Sequence, residues 1–195
     1  SSIGNAMKGM LKSGENFYIK HQQIKSENEV LEKKKEVMAG NNQYEGLSSH
    51  KLKANNMSDP DKATAYYANE IQKVKDTEHN FTGLFAKKYF NNWINKQAAE
   101  DLSTIKANST KLFIERTRTN ELDYLEVLKK KIIFAQSDLE RTNAENELAV
   151  RLDSKSKDIF GDKIEDVKKL IQKEIAFYGY KNVSIDKQEE ALAAA

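Results

Sequence analysis

The side chains in this sequence best suited to proton transfer or metal binding are three histidines, His21, His50 and His79, and they lie on or beside three separate segments. None belongs to an HExxH pair, and no paired ExxH of a di-metal bundle occurs. The nearest fragment, Asp76-Thr77-Glu78-His79, is a solitary acid–histidine pair on a charged helix, too little to hold a metal. There is no cysteine, which excludes disulfides and thiolate metal sites while fitting either redox compartment. A GxSxG turn, a GxxxxGK[ST] loop and a strand-borne GxGxxG are all missing. Most carboxylates have a basic residue three or four positions away, as on the solvated face of a helix. Four N-x-S/T triplets, at Asn56, Asn80, Asn108 and Asn182, are what a chain rich in Asn, Ser and Thr produces by chance. The expectation is therefore no enzyme, no catalytic residue, no metal and no cofactor.

The elements that carry these residues read as helices. One proline and eight glycines in 195 residues suit long helices rather than a turn-rich sheet fold. At 38% hydrophobic and 32% charged, the chain supports only a thin core. Thirty-two basic against thirty acidic side chains, alternating along most segments, do not make a phosphate-binding footprint. No stretch reaches the roughly eighteen apolar residues needed to span a bilayer.

The most continuous pattern runs over residues 97–152, with no glycine or proline inside it. Ala98, Leu102, Ile105, Ser109 and Leu112 recur by fours and threes, and Leu122, Leu125, Leu128, Ile132, Ala135 and Leu139 resume the stripe. One helix of that length would extend about 80 Å, so its narrow seam calls for a partner. Between Leu112 and Leu122, Arg116 and Thr119 fill the seam, a polar layer of the kind that fixes register.

Four segments follow. Residues 1–14 form a small-residue arm with Gly4, Gly9 and Gly14, available for docking or for peripheral membrane contact. Residues 15–57 hold a first helix, in which Phe17, Ile24, Leu31 and Met38 recur at intervals of seven, then a stop at Gly40-Asn41-Asn42 and a weak connecting segment. Residues 58–160 form a long central helix that starts at Ser58-Asp59-Pro60, an acid at the cap and a proline at the first helical position. Within it Phe81, Phe85, Tyr89 and Trp93 lie four apart along one ridge, with Leu84, Phe90 and Ile94 beside it and a kink expected at Gly83. Residues 161–195 carry an amphipathic helix, a short extended piece at 180–185 and a tail.

The predicted fold is all-α: an elongated helical hairpin or coiled-coil-like assembly of long amphipathic helices, with no second globular domain. The expected interface consists of Phe81, Phe85, Tyr89 and Trp93 with the seam residues Leu102, Ile105, Leu112, Leu122, Leu125, Leu128, Ile132 and Leu139. It points to a homo-oligomer, or to other proteins of an assembly. Two other readings stay open. A monomeric helical-bundle surface protein would close the same seams within one chain, and a nucleic-acid-binding protein would align Lys33 to Lys35, Lys87, Lys88 and Lys129 to Lys131 on one face.

The glycine-spaced beginning SSIGNAMKGM, followed by Gln- and Asn-rich helical stretches such as QQIKSENEVLEKKK and AQSDLERTNAENELAVRL, resembles the DNA pilot proteins of small single-stranded-DNA bacteriophages. In plan it is also similar to the internal core or ejection proteins of short-tailed phages. That resemblance implies a virion component that leaves the capsid with the genome and assembles its helices into a tube across the host envelope. It transfers no functional residue: the N-terminus lacks a long apolar membrane segment, and the aromatic cluster at 81–94 has no counterpart in either family's plan.

Overall fold

The first helix, α1, runs from Ser2 to Ala39 without a break. The computed structural model describes the backbone of residues 2–193 and the side chains of residues 2–179; over these the chain is all-α and contains no strand. After α1 come α2 (Leu47–Asn55), α3 (Pro60–Asp76), α4 (Ala86–Ile133), α5 (Asp138–Arg151), α6 (Lys157–Phe160) and α7 (Ile164–Ala193). The expected separate arm at 1–14 is thus the start of α1. Three glycines at about 1 kcal/mol each weaken a helix without breaking one of this length.

Local chemistry sets several boundaries. Gly40 ends α1 at a φ of +79°, which only glycine adopts without strain, and its amide donates to the Glu36 carbonyl at 2.7 Å. The chain then turns so tightly that the Gly40 and Gly46 backbones press together, and a Cβ on either would meet main chain. Asp59 caps α3 by accepting from the amides of Asp61 and Lys62, both at 3.1 Å, with Pro60 at the first position.

The long central helix expected over 58–160 is divided twice. A loop over 77–85 separates α3 from α4, so Phe81 and Phe85 precede the helix instead of lining a ridge on it. The amides at that entrance are held by α1: Gly83 and Thr82 donate to the Glu29 carboxylate at 2.8 and 3.1 Å, Leu84 to the Gln22 side chain at 3.2 Å, and Phe85 to the Ser26 hydroxyl at 3.0 Å. The Phe85 amide stands at the very start of α4 and the other three belong to the loop that leads into it; all four are satisfied from another helix. Gly83 therefore kinks nothing; it lets the loop approach the Ser26 backbone, where a Cβ would lie 2.9 Å from the Ser26 Cα.

The second division, at 134–137, interrupts the stripe expected to continue through 152. Ser137 accepts from the Glu140 amide at 3.2 Å while the Glu140 side chain accepts from the Gln136 amide at 2.9 Å, a reciprocal cap that starts α5. A π-helical turn at Leu152–Ser156 follows, and Gly161, at a φ of +57°, ends α6. The backbone at 180–185 continues α7, so the extended piece expected there is helical.

In place of one domain the chain forms two compact units, Ser1–Phe113 and Ile114–Ala195. The core of the first gathers Val30 and Val37 of α1, Leu47 and Ala54 of α2, Ala63, Tyr67 and Ile71 of α3, and Ala86, Phe90, Ile94, Ala98 and Ile105 of α4. The second gathers Leu125, Leu128 and Ile132 of α4 with Ala144, Leu148, Leu152, Phe160, Ile164 and Ile171. Burying side chains of this type contributes roughly 1.5 to 3 kcal/mol for each large one.

Candidate functional site

In the first unit a cleft of about 570 Å³ opens over Val37, Leu47 and Val74 and is rimmed by polar side chains, among them Glu36, Tyr44, Glu45, His50, Glu70 and His79. The internal contacts of this rim decide what it can do. His50 Nδ1 lies 2.7 Å from the Tyr66 hydroxyl, and its Nε2 lies 3.5 Å from Glu70. Glu70 also pairs with Lys73 at 2.7 Å, Glu45 with Lys53 at 2.6 Å and Glu36 with Lys33 at 2.6 Å. The Tyr44 hydroxyl donates to Glu36 at 2.7 Å. Partial burial, and then that carboxylate, push the Tyr44 phenol up to about 12, so it is a donor at neutral pH. His79 sets its Nε2 2.9 Å from the Val74 carbonyl and packs its ring, tilted by 60°, 4.5 Å from that of Phe90, a structural role. His21 stands exposed on α1. Among the described residues no three His, Asp or Glu side chains converge in a way that could hold a metal.

The first unit also holds a buried charge. Asp101, 1% exposed, accepts from Lys51 and from the Tyr67 hydroxyl, both at 2.6 Å. Burial alone would raise its pKa, but the bonds from Lys51, Tyr67 and Gln97 outweigh that and hold the carboxyl below its ordinary value. Burial, then the Asp101 carboxylate, push the Tyr67 phenol far up. The second unit repeats the device. Glu121, 3% exposed, receives both arms of Arg151 at 2.7 and 2.6 Å and the Ser156 hydroxyl at 2.7 Å. Arg151 in turn lies over the Tyr124 ring at 4.3 Å. The guanidinium is the main reason that the Glu121 pKa is lowered. Both sites are internal ion-pair networks whose members bond to one another.

The expected interface residues divide between the two units. Phe81, Phe85, Tyr89 and Trp93 are half-buried, whereas Phe90 and Ile94 are the fully buried members of the cluster. The cause is the start of α4: with Ala86 in the first turn, the four-residue spacing that meets the core runs Ala86, Phe90, Ile94, Ala98. The rings still gather, Phe81 at 5.5 Å and Trp93 at 5.4 Å from Phe90, and Phe85 stacked on Tyr89 at 6.0 Å. Lys34 of α1 lies 5.5 Å over the Trp93 ring. Along the stripe Leu102 and Leu112 are half-buried and Ile105 is buried. In the second unit Leu125, Leu128 and Ile132 are buried, but Leu122 is 45% and Leu139 71% exposed. Glu121 takes the buried place beside Leu122, because Arg151 and Ser156 arrive there to bind it. Leu139 falls in the first turn of α5, whose buried face begins at Ala144.

The lysine runs are largely matched by acids. Lys129 is buried between Glu126 and Glu174; burial would favour losing its proton, and the two carboxylates outweigh it and hold the ammonium above its ordinary value. Lys130 reaches Glu126 and Lys131 reaches Glu147. No described helix is long and apolar enough to cross a membrane.

Sequence reasoning caught the second face of α1 only in part, from Phe17 onward. Val30 and Val37 enter the core, yet Ile3, Met10, Phe17, Ile24 and Leu31 stay between 51% and 76% exposed. Their spacing of seven was the signal. No family model, no curated protein and no solved structure matches this chain.

Proposed function

We propose that the chain is a non-enzymatic structural or assembly protein that works by helix-to-helix contact with further copies of itself. The observation that carries this reading is the row of large apolar side chains left in water along α1, from Ile3 through Leu31. Exposed apolar surface in such a contiguous arrangement marks an interaction site. The buried polar groups support it from the other side, since Asp101 and Glu121 are spent on internal pairs. In the setting suggested by the likeness to phage pilot and ejection proteins, the assembly is a virion component delivered with the genome.

Sedimentation of the whole chain across micromolar concentrations tests the proposal. Self-association that grows with concentration is the expected result. A monomer throughout that range overturns it and favours the surface-protein reading, in which one chain binds a different protein. Binding to single- or double-stranded DNA that weakens steeply with salt would instead favour the nucleic-acid reading.

A further inference from the structure

Resting on the assembly reading, we propose that α1 pairs with α1 of a second copy as an antiparallel two-stranded coiled coil, with Ile3, Met10, Phe17, Ile24 and Leu31 as its core row. Three features support this surface and this occupant. The row keeps a strict interval of seven, extended by Met38. On a straight helix such a row drifts by about 20° per heptad, roughly 100° over five, so a flat lipid surface would lose one end of it while a supercoiling helix follows it. Every residue from 2 to 21 is exposed, whereas the half from 22 to 39 is backed on its other side by Ser26, Val30 and Val37 in the core. The bare half of one copy is thus the length needed to cover the backed half of another.

Charge decides the direction. Lys20, Lys25, Glu27 and Glu32 flank the row. A parallel, in-register pair sets Lys20 against Lys25 and Glu27 against Glu32, like charges in both places. Reversing one helix brings Lys20 of each copy to Glu27 of the other, twice over by symmetry, and both side chains are exposed and available. In that register Leu31 meets the other copy at Gly14, where a missing side chain leaves room for it, and Ile24 meets it at His21.

Because the native chain has no cysteine, single introduced thiols report the geometry directly. Lys20→Cys and Glu27→Cys proteins are each oxidised alone and as a mixture. The expected result is a disulfide-linked species that joins the two different variants and forms only in the mixture. A Lys20→Cys protein that links to a Lys25→Cys protein and not to Glu27→Cys means a parallel pair and overturns the proposal, as do links within each variant alone. A chain that sediments as an oligomer yet gives no link overturns this seam while leaving the assembly reading intact. A monomer overturns both, as does a monomer that floats with vesicles containing phosphatidylglycerol, which would assign the arm to lipid. As a second reading of the same contact, Lys20→Glu weakens self-association about tenfold and Glu27→Lys in the same chain restores it.

Discussion

Glu29 and Gly83 stand 54 positions apart, yet the Gly83 amide donates to the Glu29 carboxylate at 2.8 Å and so anchors the entrance of α4 to the flank of α1. Thr82 adds its amide at 3.1 Å and its hydroxyl to the same carboxylate. One acid thereby ties the loop that leads into α4 to the side of α1.

Glu29→Ala is therefore expected to cost about 1–3 kcal/mol of stability in the first unit, the range for hydrogen bonds to a charged group. Urea denaturation followed by Trp93 fluorescence measures it. An unchanged midpoint would mean that water replaces the carboxylate without loss.

Gly83→Ala acts on the same contact by steric means. The added methyl meets the Ser26 backbone, which is part of a helix and cannot swing aside. A loss of about 1–3 kcal/mol is expected from overpacking. The same urea experiment reads it, and a neutral result would show that the loop can withdraw from α1.

In the second unit Arg151→Ala strands the Glu121 carboxylate with only Ser156 as a partner, a loss of about 3–5 kcal/mol for a buried pair broken on one side. The double variant Glu121→Leu/Arg151→Met removes both charges and should recover most of that loss. Thermal unfolding of the three proteins separates the cost of a stranded charge from the worth of the pair.

Acid should unfold the chain through these groups. The pKa of Glu121, held down chiefly by Arg151, and that of Asp101, where the bonds from Lys51 and Tyr67 overcome burial, both lie below the unfolded values. Their stabilisation is complete above the ordinary carboxylate range, near pH 4, and is lost as pH falls through the lowered folded values. Circular dichroism from pH 7 to 2 tests this: stability that stayed flat below pH 4 would contradict it.

Leu128 and Leu139 share one sequence stripe but differ in burial, 0% against 71%. Leu128→Ala is expected to cost about 2–5 kcal/mol, whereas Leu139→Ala should stay within about 0.5. Equal effects in a thermal melt would mean that Leu139 is covered in solution.

Helix content and the start of α3 were legible because their causes are local: Asp59 and Pro60 act on the amides beside them. The break before α5 was equally local, since Ser137 and Glu140 spell a capping box; the apolar spacing around it merely drew the eye past it. The start of α4 could not be read, because Glu29, Ser26 and Gln22 supply it from far upstream. That single non-local cause moved the buried ridge from Tyr89 to Phe90. Glu121 was hidden for the same reason, as a lone acid on an apolar face looks like solvent surface until Arg151 is brought to it.

The pressed backbones of Gly40 and Gly46 have a practical consequence for anyone reshaping this chain. Seven residues fold α1 back toward α2 with no slack, so a reporter, an epitope or a protease recognition sequence inserted there would pry the two glycines apart. The turn at 134–137, closed by side chains and open to water, is the place to splice such cargo.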